Sequence, residues 1–146
     1  MHIRKEEKMF DLFGKNKKAE KELKNILLLA LCQELDSIKE WNEETFPDAT
    51  LGGQLSKLEE EYEEYFSAKS QEEERKELAD IFIVLGGLRR WESKIGNCIV
   101  NTMVENMPVS ILLELLPSIK TKMDINRKRV WKKSGDGKFH HTNKEK

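Results

Sequence analysis

Residues 57–88 read KLEEEYEEYFSAKSQEEERKELADIFIVLGGL, and this stretch decides the fold. Its first half, read with the six residues before it, carries apolar residues at Leu51, Leu55, Leu58, Tyr62 and Tyr65, steps of 4, 3, 4 and 3 that trace one stripe of an α-helix. Ser70 followed by Glu73 forms a capping box, so a second helix starts there after a break near Lys69. Between Glu77 and Arg89 the only charge is Asp80, set in LADIFIVLGGL. A helix apolar on every side is a buried one. The Gly86-Gly87 pair within it permits close helix contact or a bend. Two helices in a hairpin, the second central to a core, are the expectation.

The flanks extend this helical pattern. Leu23, Ile26, Leu27, Ala30, Leu31, Leu35, Ile38 and Trp41 recur at helical spacing and predict a helix over about 19–41. The segment WNEETFPDATLGG reads as a loop, with Thr50 as the N-cap of the helix that follows. Ile95 to Asn106 predicts a short helix stopped by Pro108, and Ser110 to about Arg129 another, which Pro117 should kink or split. No alternating β-branched run appears. The fold class is therefore all-α, a four- to five-helix bundle. Three segments are expected: a charged extension (1–18) with Phe10, Leu12 and Phe13 its only apolar cluster, a helical domain (19–133) and a loop-like tail (134–146).

Composition narrows the function. The chain has 146 residues, enough for one domain that buries roughly 68–70% of its unfolded surface without staples. Lys+Arg 26 against Asp+Glu 27 leaves a net charge of −1, which speaks against a nucleic-acid binder. Two cysteines, Cys32 and Cys98, exclude a disulfide scaffold and a four-cysteine zinc site. The N-terminal residues MHIRKEEKMF have no apolar core of the secretory kind, and no apolar run reaches the ~20 residues of a membrane span. A cytoplasmic protein is expected. The balance hides two blocks: ten acids against three bases over 59–80, and ten Lys/Arg against three acids over 120–146. Both signs in one domain suit a metal ion with a polyphosphate, or else two solvated helix faces.

The acidic block holds two pairs three residues apart, Glu61 with Glu64 and Glu77 with Asp80. Residues i and i+3 share a helix face, so each pair can converge on one hard cation. At 100° per residue from Leu58 the apolar stripe centres near about +20°, with Glu61 at about −60°, Glu64 at about −120° and Glu60 at about −160°. Glu61 and Glu64 thus border the core, while Glu60 faces water. Asp80 in its apolar run needs a partner, a proton or a metal. A salt bridge to Arg75, Lys76 or another helix is the competing reading. Lys122, Asn126 and Arg129 at i, i+4 and i+7 offer phosphate donors on one face, or a basic end for the helix dipole. Trp41 and Trp131 can stack on a base or pack in the core, and Trp131 has the better claim to a base. His2, His140 and His141 lack partners at metal-ligand spacing, and Cys32 reads as a small core residue.

KLEEEYEEYFSA and KELADIFIVLGGL resemble the E-x-x-E … E-x-x-D signature of the MazG-like all-α nucleoside triphosphate pyrophosphohydrolases, placed on Glu61, Glu64, Glu77 and Asp80. Twelve residues separate Glu64 from Glu77, at the short end of that family's range. WNEETFPDAT and KMDINRKRVW … GDGKFHH resemble a phage and prophage branch described as dATP/dGTP diphosphohydrolases. The likeness spans roughly residues 38–142; NCIVNTMVENMPVSILLELLPSIK is longer than that branch usually has, and residues 1–18 have no counterpart. The resemblance implies hydrolysis of a (d)NTP, with purine deoxynucleotides favoured, to (d)NMP and pyrophosphate. The four carboxylates would hold Mg²⁺, directly or through waters, with Mn²⁺ a substitute, and one of the glutamates would accept the attacking water's proton instead of ligating. Lys122, Asn126 and Arg129 would bind phosphate, and the protein would be a homodimer or tetramer. A catalytically silent helical interaction module is the alternative.

Overall fold

A computed structural model describes residues 17–91, 93–133 and 139–141. They form five helices, α1 (Lys17–Thr45), α2 (Leu51–Ser67), α3 (Gln71–Leu88), α4 (Ser93–Glu105) and α5 (Val109–Lys128), then a ribbon of β1 (Trp131–Lys133) and β2 (Phe139–His141). The fold is all-α apart from that ribbon. The expected extension falls almost wholly on residues 1–16, outside the described residues.

Helix α3 is the axis of the bundle. It packs against each of the other four helices, and from Leu78 to Leu88 every residue but Asp80 is buried. Phe82, Leu85, Ile38, Ile119 and Met123 are sealed from solvent; truncating a phenylalanine so placed costs about 3–5 kcal/mol. The Gly86-Gly87 pair serves close contact. A Cβ on Gly86 would come 2.9 Å from Ile38 Cγ2, and one on Gly87 2.6 Å from Asn42 Nδ2 and 2.7 Å from Gln54 Nε2.

The caps sit where local chemistry puts them. Thr50 Oγ1 accepts from Gly53 N at 3.0 Å and Ser70 Oγ from Glu73 N at 3.1 Å, each satisfying an orphan donor of the first turn. The return arm of the second box reaches one residue further back: Glu73 Oε2 accepts from Lys69 N at 2.9 Å.

Three expectations change. Helix α1 runs to Thr45, past Trp41, because Arg90 Nη1 donates to the carbonyls of Asn42 (3.3 Å) and Phe46 (2.8 Å) at its end. Pro117 does not split α5, which is continuous from Val109 to Lys128. Pro117 and Leu113 both face outward, so the carbonyl that loses its partner lies on the wet side of the helix. Within the expected tail, residues 139–141 are paired, with Trp131 opposite His141, Lys132 opposite His140 and Lys133 opposite Phe139; residues 134–138 and 142–146 lie outside the described residues. The long segment before Lys122 is core: Val100, Val104, Met107, Val109, Leu112, Leu115 and Ile119 are all buried.

Candidate functional site

The hairpin of α2 and α3 brings three acids together. Glu61, Glu77 and Asp80 each offer a carboxylate oxygen within 4.8 Å of the others. Glu61 faces inward with 6% of its surface exposed, as its place beside the apolar stripe predicts. Glu64 is exposed, farther out than its angular position suggests, yet its carboxyl stays within hydrogen-bonding reach of Glu77. The reason is its distance around α2 from Leu58, which carries it beyond the cover of α3.

Electrostatics makes the group costly as it stands. Burial, then the charge of Asp80, pushes Glu61 up to about 8, against the pull of Lys57. Burial, then the Glu64 carboxyl and the Asp80 charge, pushes Glu77 up to about 7. Burial also raises Asp80, with Lys122 as the leading opposing influence. Two oxygens, Glu61 Oε2 and Glu77 Oε2, are buried with no hydrogen-bond partner. Like charges crowded out of water with unmet acceptors are the arrangement a divalent cation relieves. The donor set, carboxylate oxygen only, fits a hard ion such as Mg²⁺ or Mn²⁺.

Two lysines border the group. Lys122 Nζ on α5 lies 3.6 Å from Asp80 Oδ1, and Lys57 Nζ on α2 lies 3.5 Å from Glu61 Oε1. Of the ion-pair partners considered for Asp80, the one from another helix is present; Arg75 pairs with Glu114 at 3.0 Å and Lys76 with Glu72 at 3.6 Å. Lys57 was missed as a neighbour of the site, although the i, i+4 spacing Lys57–Glu61 carries the signal.

Of the basic trio, Lys122 is paired with a member of the carboxylate group. Asn126 is buried, and its Oδ1 accepts from Arg129 Nη1 at 3.1 Å while its carbonyl accepts from Trp131 Nε1 at 3.1 Å. Arg129 is the C-cap residue of α5, with φ −76° and ψ 151°, and its guanidinium turns back onto Asn126. Trp41, Phe46 and Trp131 form an edge-to-face triangle with centroid separations of 5.3, 5.9 and 5.1 Å. Both tryptophans thus pack the α1 end against the ribbon strand. His140 and His141 lie on β2, His2 outside the described residues; Cys32 is half-buried and Cys98 exposed, both as free thiols.

No family model matches the chain, and no curated protein matches it. Among solved structures it is similar to the Cyanophage S-2L MazG-like pyrophosphohydrolase bound to dGDP and three catalytic Mn²⁺ ions per active site, with 23% identity over 79% of this chain and 95% of that chain and a TM-score of 0.36. Likeness at that score transfers neither site nor substrate. No helix among the described residues is long and apolar enough to cross a membrane.

Proposed function

We propose that this protein is a MazG-like, divalent-cation-dependent nucleoside triphosphate pyrophosphohydrolase that converts a (d)NTP and water to (d)NMP and pyrophosphate, with purine deoxynucleotides as preferred substrates. The observation that carries the reading is the convergence of Glu61, Glu77 and Asp80 with two buried carboxylate oxygens left unsatisfied. Glu61, Glu77 and Asp80 would hold Mg²⁺, or Mn²⁺ in its place, and Glu64 would contribute directly or through water. When bound, such an ion neutralises phosphate oxygens and makes an attacking water more acidic.

The chain's own residues supply the rest. Glu64 is assigned the water's proton, a role supported by its exposure and its position beside Glu77. Lys122 gives a point charge to the phosphates and Arg129 a forked donor. Asn126 acts on Arg129 from within the core. The base-binding role considered for Trp131 and Trp41 would have to use whatever ring surface their triangle leaves open. A homo-oligomer is supported by apolar side chains left in solvent on α2, Leu51, Leu55 and Phe66, the last 78% exposed.

Pyrophosphate release from a panel of NTPs and dNTPs, with Mg²⁺ and with EDTA, tests the reading. Release that needs Mg²⁺ and is greatest on dATP or dGTP is expected. Silence across the panel in folded protein would overturn it and favour the helical interaction module.

A further inference from the structure

Lys122 and Asp80 belong to different helices, α5 and α3, and meet at 3.6 Å. The lysine is partly sheltered, with 32% of its side chain exposed, and the aspartate more so at 19%. Asp80 also lies within 4.8 Å of the Glu61 and Glu77 oxygens. A cation held by those three carboxylates and the Lys122 ammonium must therefore use the same Asp80 carboxylate. Lys57 differs: it touches the group at Glu61, from the same helix, one turn away, and also reaches Glu60 at 3.7 Å.

We infer that Lys122 couples metal binding to nucleotide binding, by competing with the divalent ion for Asp80 until a phosphate draws its ammonium away. This rests on the function proposed above and adds a thermodynamic role to Lys122. With no nucleotide, Lys122 opposes the ion, since a +1 and a +2 charge some 6 Å apart repel enough to weaken binding about tenfold even in a water-like medium. A bound polyphosphate offers Lys122 oxygens of higher charge than Asp80, and the lysine then holds substrate without opposing the ion. Coupling of this kind is reciprocal, so each ligand tightens the other by one and the same factor. The site would stay weakly metallated until its substrate arrived.

Free Mn²⁺ measured by electron paramagnetic resonance gives the dissociation constant with and without an α,β-methylene dNTP. Wild type is compared with Lys122→Met, Lys122→Gln and, as a charge control, Lys120→Met, an exposed position on α5. Both Lys122 variants should bind Mn²⁺ about five- to tenfold tighter than wild type without nucleotide. They should also lose most of the tightening that the analogue gives wild type. Lys120→Met should stay within about twofold of wild type on both counts, as expected for an exposed, screened charge. Unchanged Mn²⁺ affinity in both Lys122 variants, beside measurable binding by wild type, would overturn the coupling and leave the hydrolase reading standing. A wild type that binds no Mn²⁺ even with the analogue present would overturn both. Circular dichroism confirms that each variant is folded.

Discussion

Two polar clusters sit along α3 and differ in one respect. At its C-terminal end Asn42, Gln54 and Arg90 meet around Gly87. There Arg90 Nη1 donates to Asn42 Oδ1 at 2.8 Å and to two backbone carbonyls, and Gln54 Nε2 donates to Val84 O at 3.0 Å. Two turns earlier Glu61, Glu77 and Asp80 gather charge of one sign, with two buried oxygens unpaired. The first cluster is complementary and holds elements together. The second crowds like charges, is raised in pKa by burial, and leaves two buried acceptors without a partner. Polar burial that closes on itself is architecture, and polar burial that does not is a candidate site.

Variants in the two clusters should separate activity from stability. The largest effect belongs to Asp80→Asn, which should lower kcat/KM by about a thousandfold or more while helical circular dichroism is unchanged, because several kcal/mol of charge stabilisation is lost. Retained turnover would remove Asp80 from the site. Arg90→Ala should do the reverse: a loss of about 2–3 kcal/mol in chemical denaturation from stranded acceptors, with turnover per folded molecule near that of wild type. Gly87→Ala should cost about 1–3 kcal/mol by overpacking against Asn42 and Gln54. A neutral result there would mean that the close approach is slack.

The smaller effect is pH-dependent. With Glu61 raised to about 8 and Glu77 to about 7 from 4.5, the metal-free native state binds more protons than the unfolded chain between pH 4.5 and about 8. Its stability therefore falls as pH rises through that window. Melting curves from pH 5 to 8 in EDTA should show this decline. Glu61→Gln should flatten it, and saturating Mg²⁺ should oppose it, since the ion favours the ionised carboxylates. A flat wild-type profile would mean that the crowding in the carboxylate group is relieved some other way.

What could be read from the sequence follows the range of the interactions involved. Asp80 alone in LADIFIVLGGL marked both the central helix and its anomalous residue, because burial of a whole helix is a local pattern. Thr50 and Ser70 were legible as caps for the same reason. Arg90 with Asn42 was not, since the pair spans 48 residues and each looks like an ordinary surface residue in its local sequence. Nor was the β1–β2 pairing, in strands of three residues each, too short to show an alternating pattern. Asn126 was placed correctly on α5, but helical spacing could not foresee that its side chain would be buried and accept from Arg129.

The most direct test of the central claim, that Glu61, Glu77 and Asp80 form a divalent-cation site, is the melting temperature of wild type and Glu61→Gln/Glu77→Gln at pH 7.5, with EDTA and with Mg²⁺. Wild type should gain roughly 5–10 °C at an Mg²⁺ concentration of about a hundred times Kd. The double variant should melt higher than wild type in EDTA and gain nothing from Mg²⁺. Equal shifts in the two proteins, or none in wild type, would contradict the account.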